Sequence, residues 1–271
     1  MVEKTGPRGK ARVTGGEAAA RDSLTLLKAV LAWAVDEGLA KANAASGVKV
    51  GAHRKRETYL EDTEAYGRLF ATLERLEAEH RVRGPVADCV RVIALTGARK
   101  SEIAALRWRH IDLAAGKVTL PPEGHKSGRA TGKERVIHLP DVALEIVARQ
   151  GRGLPDAFVF RSAKPGAVLD LRKPWRLVRT EAGLPEGFGL HGLRHSLASH
   201  MALGGAEAAQ IMHAMGHNQL NTVQRYLHAA DAARQELANR AARIPALALS
   251  KAAAEGVALA VLPLSAPRSR R

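Results

Sequence analysis

Residues 191–200 read His-Gly-Leu-Arg-His-Ser-Leu-Ala-Ser-His and follow helical spacing. His191 and Arg194 are three residues apart, so they share one face of the predicted helix, and His195 shares a face with His191 as well. Two histidines on one face raise the possibility of a zinc site. We disfavour it because Arg194 would place a fixed charge beside the metal and the sequence indicates no third ligand. The segment therefore predicts a cationic helix face without a metal.

A tyrosine stands shortly after this helix. Residues 215–218 read Met-Gly-His-Asn, which places His217 after a glycine, and residues 222–228 read Thr-Val-Gln-Arg-Tyr-Leu-His. A lone tyrosine in a helix is usually a half-buried packing residue. Tyr226, however, is one of only three tyrosines and is surrounded by basic and polar residues, which makes it a candidate for chemistry.

An arginine begins a helix upstream. Residues 96–103 read Thr-Gly-Ala-Arg-Lys-Ser-Glu-Ile, with Arg99 just after a glycine turn. Taken alone, Arg99 would be interpreted as a surface residue paired with Glu102. The functional alternative is an arginine that the carboxylate holds while its planar fork is offered to a phosphate.

A β-hairpin with a long basic connection is predicted next. Residues 117–120 and 135–139 have the pattern of paired strands, and the connection at 124–133 reads Gly-His-Lys-Ser-Gly-Arg-Ala-Thr-Gly-Lys. The connection is either a solvated charged loop or a mobile arm. In the second case Lys126 could enter a groove and donate a proton to a leaving alkoxide.

The remaining pattern is helical. Apolar residues recur with helical spacing at 17–38, 62–80, 86–95, from 101, at 141–149 and, after a short predicted strand at 158–160, to about 243. Residues 41–58 have the composition of a linker. The predicted fold class is therefore mainly α with a small antiparallel β-sheet (α+β).

Charge indicates the partner. The 271 residues include 42 Lys plus Arg against 27 Asp plus Glu, a net charge of +15. Such an excess favours a nucleic acid, whose phosphates would neutralise it, although a generally basic protein such as a ribosome-associated one is the alternative.

Other features bear on location. A single cysteine, Cys89, excludes an intrachain disulfide and a cysteine-based metal cluster, and it is expected in the core. The most apolar stretch, 246–264, contains two charges and a proline and falls short of a membrane span. We expect a cytoplasmic, nucleoid-associated protein without membrane contact.

The order of these segments resembles the tyrosine recombinase (phage integrase) family over residues 57–245. The segments Thr-Gly-Ala-Arg-Lys-Ser-Glu-Ile-Ala-Ala-Leu-Arg-Trp, His-Gly-Leu-Arg-His-Ser-Leu-Ala-Ser-His and Met-Gly-His-Asn, followed by Thr-Val-Gln-Arg-Tyr-Leu-His, are similar to its conserved boxes. The resemblance implies a site-specific recombinase or integrase that cleaves and rejoins double-stranded DNA without cofactor, metal or ATP.

The resemblance also implies residue roles. Arg99 and Arg194 would clamp the scissile phosphate, which fits the charge that builds on its oxygens during attack. Tyr226 would attack and form a 3′-phosphotyrosine, with a neighbouring base such as His191 taking its proton. His217 would donate to the phosphate, and Glu102 would orient Arg99. Lys126 would be the proton donor, with Lys133 as its rival. The residues expected to contact DNA are Lys100, Arg129, Lys133, Arg135 and Arg225.

Other histidines and tryptophans receive ordinary roles. His195, His200, His213 and His228 are expected to pack or to contact the DNA backbone, and Trp108 and Trp175 to pack.

The resemblance further implies the organisation of the chain. Residues 1–50 would be a partial helical core-binding (SAM-like) segment with a linker to 57, residues 57–245 the catalytic domain and residues 246–271 a tail. A helix at about 231–243 would enter a neighbouring protomer, giving a homotetramer on synapsed DNA. Two alternatives stay open: a type IB topoisomerase, and a truncated relative that binds DNA without cutting it.

Overall fold

The computed structural model of the chain describes residues 2–6, 9–13, 16–49, 59–60, 63–216 and 220–247. Contacts between Cα atoms divide the chain into two compact units, Met1–Glu57 and Thr58–Arg271. His217 and almost all of the apolar stretch 246–264 lie outside the described residues. Among the described helices, none combines the length and the apolar character needed to span a bilayer.

The first unit contains a hairpin and a helix. Strand β1 (Val2–Gly6) pairs antiparallel with β2 (Gly9–Val13), and helix α1 runs over Glu17–Asp36. The Lys28 ammonium donates to the Val48 carbonyl at 2.6 Å, so the segment after α1 folds back along it. The helix was predicted, but the hairpin was not, because its short strands show no regular alternation of apolar and polar residues.

The second unit is mainly helical with a small sheet, so the predicted fold class is confirmed. Its sheet is antiparallel with the order β3 (Ile111–Asp112), β4 (Lys117–Leu120), β5 (Arg135–His138). The helices are α2 (Thr63–Ala78), α3 (Gly84–Thr96), α4 (Lys100–Ala104), α5 (Gly128–Thr131), α6 (Asp141–Ala148), α7 (Arg172–Glu181), α8 (Leu190–Leu203), α9 (Ala208–Met215) and α10 (Leu220–Ala241).

The predicted hairpin is confirmed, with Lys117 opposite His138 and Leu120 opposite Arg135. The predicted strand at 158–160 is wrong. Phe158 forms only an isolated bridge with Arg107, and the third strand is β3. A strand of two residues is too short to show an alternating pattern, which is why the sequence did not indicate it.

Two groups of buried residues form the interior of the second unit. The larger joins α2, α3, the sheet and α6 to the start of α8, and it includes Cys89, Trp108 and Trp175, as predicted. The smaller joins α8, α9 and α10 through residues such as Ile211, Met215 and Tyr226. Burial of these apolar side chains fixes α10, and therefore its tyrosine, against α8.

Two glycines turn the chain where the predicted site begins. Gly97 ends α3 with φ 61° and Gly216 ends α9 with φ 60°, a left-handed conformation that other residues adopt at a cost. A Cβ on Gly97 would lie 3.0 Å from atoms of Leu197 and Met215. The two turns therefore bring the end of α3 against α8 and the end of α9.

Candidate active site

A buried carboxylate organises the start of α4. Glu102 is only 2% exposed, and its two oxygens accept hydrogen bonds from the Arg99 backbone N–H at 2.9 Å and the Arg99 Nη1 at 2.9 Å. Arg135 Nε donates to the same carboxylate at 3.2 Å. Burial raises the pKa of Glu102, but Arg135 and Arg99 outweigh it and hold that pKa below its ordinary value. Glu102 is therefore an anion shared by two guanidinium groups.

Three arginines donate to three successive carbonyls at the end of α9. Arg135 Nη2 donates to the Ala214 oxygen at 3.3 Å, Arg194 Nη2 donates to the Met215 oxygen, and Arg99 Nη2 donates to the Gly216 oxygen at 3.1 Å. The last carbonyls of a helix have no partner within the helix and carry partial negative charge. This helix end therefore gathers Arg99, Arg135 and Arg194 into one cluster, which we call the arginine cluster.

The arginine cluster is largely buried. Arg194 is 1% exposed and also donates to the Gly97 oxygen at 2.8 Å, while the Arg99 side chain is 20% exposed. Burial, followed by repulsion from Arg99 and Arg135, lowers the pKa of Arg194 to about 10, so the group stays charged at neutral pH. Within the described part of the chain, Arg194 Nε and Arg135 Nη1 are buried without a hydrogen-bond partner.

Tyr226 reaches the same region from α10. It is 5% exposed, its hydroxyl is hydrogen-bonded to His195 Nδ1, and it accepts a bond from Arg225 Nη2 at 2.7 Å. The rings of His191 and His195 meet edge to face with centroids 4.4 Å apart. Because His195 directly follows Arg194 on α8, its bond to the Tyr226 hydroxyl places the phenol next to the part of the helix that carries Arg194.

His191 is surrounded by cations. Although His191 is exposed at the surface, partial desolvation lowers its pKa, and Arg194, Arg225, Arg99 and Lys126 lower it further. His191 is therefore neutral at neutral pH. Since Lys126 acts on it electrostatically, the hairpin connection comes close to α8.

The connection between β4 and β5 is more ordered than a mobile arm. It contains a 3₁₀ turn at Pro122–Gly124 and the short helix α5. The buried His125 ring bonds the Lys133 carbonyl at 3.0 Å, and Ser127 Oγ accepts a bond from Arg99 Nη2 at 3.4 Å. A cavity of about 620 Å³ opens beside it, with His125, Lys133, Arg135, His213 and Gly216 among its lining residues.

The predicted site residues fall into three groups. Arg99, Glu102, Arg194 and His191 come together with Tyr226, while His217 lies outside the described residues. Exposed side chains are found at Lys100, Lys126, Arg129 and Lys133, and Arg225 is half-buried against Tyr226.

Arg135 differs from the expectation that it contacts DNA. It is 5% exposed and bonds Glu102 and the end of α9, so its side chain supports the arginine cluster from inside. Its position directly after a basic connection suggested a surface residue. In β5, however, the side chains of Arg135 and Ile137 point inward on alternate positions.

Sequence reasoning missed His195 and Ser127. His195 was expected to pack or to contact the DNA backbone, whereas its ring bonds the Tyr226 hydroxyl. The available signal was its spacing of four residues from His191, which was considered only for a metal site. Among the described residues no group of three His, Cys, Asp or Glu could hold a metal ion.

Comparison with known proteins finds a family model that matches most of the second unit. Residues 62–233 match the model of the phage integrase family. Tyrosine recombinase XerD of Mycobacterium tuberculosis is 29% identical over 215 residues, a match that covers 75% of this chain and 67% of XerD. The integrase of Salmonella phage P22 is 30% identical over 158 residues, which covers 54% of this chain and 40% of that integrase.

Solved structures show a similar fold. XerH recombinase bound to palindromic difH substrate, in a post-cleavage complex, has a TM-score of 0.57 and 26% identity, covering 72% of this chain and 56% of XerH. A lambda integrase dimer bound to a COC′ core site has a TM-score of 0.60 and 18% identity, covering 79% of this chain and 74% of that chain.

Proposed function

The chain belongs to the phage integrase family, the site-specific tyrosine recombinases, and on this premise we propose that Tyr226 cuts and rejoins double-stranded DNA at the arginine cluster. The observation that carries the proposal is the convergence of Arg99 and Arg194 on one helix end, with the Tyr226 phenol bonded to His195, the residue that follows Arg194. Attack on a phosphodiester adds negative charge to its nonbridging oxygens, and two fixed guanidinium groups can stabilise that charge without reorganising.

Arg99 and Arg194 are held ready for this task. Their donors contact the Gly216, Met215 and Gly97 carbonyls, and a phosphate that enters the site would compete with these carbonyls for some of the donors. Arg194 Nε is buried and has no partner among the described residues, so it has a donor to offer. Glu102 and Arg135 keep Arg99 in place without touching the reacting atoms.

A covalent intermediate would make an external energy source such as ATP unnecessary. When Tyr226 replaces the 5′ oxygen, the phosphodiester bond becomes a 3′-phosphotyrosine bond of similar energy, and a 5′ hydroxyl can reverse the exchange on another strand. The proposed reaction therefore uses neither ATP nor a metal. We assign His217 a hydrogen bond to the same phosphate, by the resemblance of its segment to the family.

Lys126 is the proposed proton donor to the leaving 5′ oxygen. It is exposed on the connection between β4 and β5, and it is one of the cations that lower the pKa of His191. Lys133 lines the cavity on the side of Gly216 and Arg135. We assign Lys126 to the chemistry, with which its effect on His191 is consistent, and Lys133 to contact with the DNA backbone.

DNA would approach over the exposed cations around this site. Lys100, Arg129 and Lys133 are exposed and suit phosphate contacts, which position a duplex without reading its sequence. The net charge of +15 acts in the same direction. Because its substrate is DNA, we place the protein in the cytoplasm at the nucleoid.

Assembly is proposed to use the outer part of α10. This helix carries Tyr226 and continues through the segment expected to enter a neighbour, and Leu237 on it is 63% exposed. An apolar residue on a projecting helix is suited to packing against a second protomer. We propose a homotetramer on two paired sites, with residues 1–50 as a partial core-binding segment.

A covalent capture experiment tests the proposed function. Nicked duplexes with randomised arms are incubated with the protein, and those that become attached to it are recovered from a denaturing gel and sequenced. We expect a selected sequence and an adduct that disappears in Tyr226→Phe. Relaxation of supercoiled plasmid without exchange between two selected sites would instead indicate a topoisomerase. Binding without any adduct would indicate a DNA-binding protein that does not cut.

A further inference from the structure

Two side chains, those of His195 and Arg225, bond the Tyr226 hydroxyl. The sequence did not indicate a role for either of them at this atom. The hydroxyl oxygen is hydrogen-bonded to His195 Nδ1 from α8 and accepts a bond from Arg225 Nη2 at 2.7 Å. The same Arg225 nitrogen lies 3.0 Å from His195 Nδ1. Phenol, imidazole and guanidinium therefore form a closed triangle of contacts around the proposed nucleophile.

The donors in this triangle fix the protonation of His195. A guanidinium group has donors and no acceptor, so the His195 Nδ1 that faces Arg225 presents its lone pair. His195 is then a neutral imidazole with its proton on Nε2. The phenol accepts from Arg225 through its oxygen and donates its O–H to Nδ1, whose single lone pair it shares with Arg225. The proton that Tyr226 must lose already points at a base.

His191 occupies a different position. Its ring packs edge to face on His195, and it is the His195 ring whose Nδ1 is bonded to the Tyr226 hydroxyl. Since partial desolvation and four nearby cations keep His191 neutral, it adds no charge beside the His195 ring. This arrangement changes the expectation that His191 is the base.

We propose, resting on the proposed function, that His195 is the base that takes the proton of Tyr226 and that Arg225 stabilises the phenolate as it forms. In the cleavage step the phenol O–H bond breaks and an Nδ1–H bond forms on His195. The phenol oxygen bonds to phosphorus, the bond from phosphorus to the 5′ oxygen breaks, and Lys126 protonates that oxygen.

Religation runs the same exchange in reverse. The 5′ hydroxyl attacks phosphorus and returns its proton to the lysine, and the departing phenolate recovers its proton from His195. While the intermediate exists, His195 is an imidazolium beside the Arg225 guanidinium. Repulsion between these two cations favours return of the proton, so the pair assists the religation step.

The test separates holding the phenol from taking its proton. His195→Asn keeps an amide oxygen near the position of Nδ1, which can accept the phenol hydrogen bond but cannot take up the proton. His195→Ala removes both functions. The matched control is His80→Asn, an exposed residue at the end of α2 whose left-handed backbone asparagine tolerates.

The substrate is the nicked duplex that the wild-type protein selects by covalent capture. We expect His195→Asn to bind the uncut duplex as tightly as wild type but to form the adduct about 10²-fold or more slowly, the usual size of a general-base contribution. Among the described residues, the titratable and charged groups near His195 include His191 and Arg194 on α8 and Arg225 and Tyr226 on α10. The two rates should also differ in their dependence on pH, because only the wild type carries a titratable base at this position.

The two failures are distinguishable. If the wild type forms no Tyr226-dependent adduct, the proposed function is wrong and this inference falls with it. If the wild type is active and His195→Asn cleaves within a few-fold of it with the same pH profile, only the inference is overturned. Should His195→Asn unfold, Arg225→Gln gives a second reading, since it keeps a donor without the charge: a rate about 10²-fold lower supports the proposal and an unchanged rate contradicts it.

Discussion

Gly216 lies so close to Arg135 that a Cβ built on it would fall 1.6 Å from the Arg135 Nη1. The glycine is therefore required for space as well as for its left-handed backbone. It lets the end of α9 approach the buried guanidinium, which in turn holds Glu102 and the Ala214 carbonyl. The turn that precedes His217 and the buried contacts that hold Arg99 therefore both depend on the lack of a side chain at Gly216.

Gly216→Ala is expected to destabilise the fold and abolish cleavage, because Arg135 must leave Glu102. Gly132→Ala is the matched control, since Gly132 has φ 66° and nothing within 4 Å of its added Cβ. Backbone strain alone costs about 1–2 kcal/mol at either position. Loss of the charged hydrogen bonds should cost Gly216→Ala about 2–3 kcal/mol more in urea unfolding. If the two variants have equal free energies of unfolding, the close approach of Gly216 to Arg135 does not contribute to stability.

The stability of the fold should depend on pH through Glu102. Its pKa in the folded protein is held below the ordinary 4.5, so its contribution is complete above that value and is lost as pH falls through the depressed folded pKa. Glu102→Gln should therefore have a lower free energy of unfolding than the wild type at pH 7. The difference between the two proteins should become smaller below about pH 4. Glu64→Gln, at an exposed pair with Arg68, is the control. If the difference in unfolding free energy between Glu102→Gln and the wild type does not change with pH, the charge of the Glu102 carboxylate does not contribute to stability.

The sequence predicted the helices and the β4–β5 hairpin because long periodic segments and paired strands show their pattern locally. It also indicated Arg99, Glu102, Arg194 and Tyr226 as candidates through their resemblance to the family, and the structure brings these residues to one region. It could not show that Arg135 faces inward or that His195 bonds Tyr226, since both depend on how α8, α9 and α10 pack. A histidine four residues from another indicates a shared face, but the partner across that face is set by tertiary structure.

Arg99→Ala is expected to slow formation of the covalent adduct by about 10²–10³-fold, the range found when a donor to a developing oxyanion is removed. Glu102 would keep Arg135 as its partner, so the fold should survive. The control is Arg68→Ala, which removes an exposed arginine paired with a carboxylate within its own helix. Adduct formation is measured in a single turnover on the selected duplex. A rate equal to that of Arg68→Ala would remove Arg99 from the phosphate clamp.

Removal of divalent metal should leave cleavage unchanged. The proposed stabilisation of the phosphate comes from Arg99 and Arg194, whose cationic groups the structure already holds at the end of α9. The protein is dialysed against EDTA and assayed in EDTA, with a metal-dependent nuclease treated in parallel to show that chelation was complete. If cleavage stops and returns on addition of magnesium, the two arginines do not suffice and a metal enters the mechanism.

A leaving group that needs no proton should identify the catalytic lysine. Lys126→Ala is expected to slow cleavage of an ordinary duplex by about 10²–10⁴-fold, because the departing 5′ oxygen loses its general acid. Replacing that oxygen with sulfur gives a leaving group that departs as a thiolate, so Lys126→Ala should cleave the sulfur substrate at nearly the wild-type rate. Lys133→Ala is the matched variant on the same connection, and its defect should be equal on both substrates because it weakens DNA contact only. If the sulfur substrate restores the cleavage rate of Lys133→Ala but not that of Lys126→Ala, then Lys133 is the proton donor and Lys126 contacts the DNA.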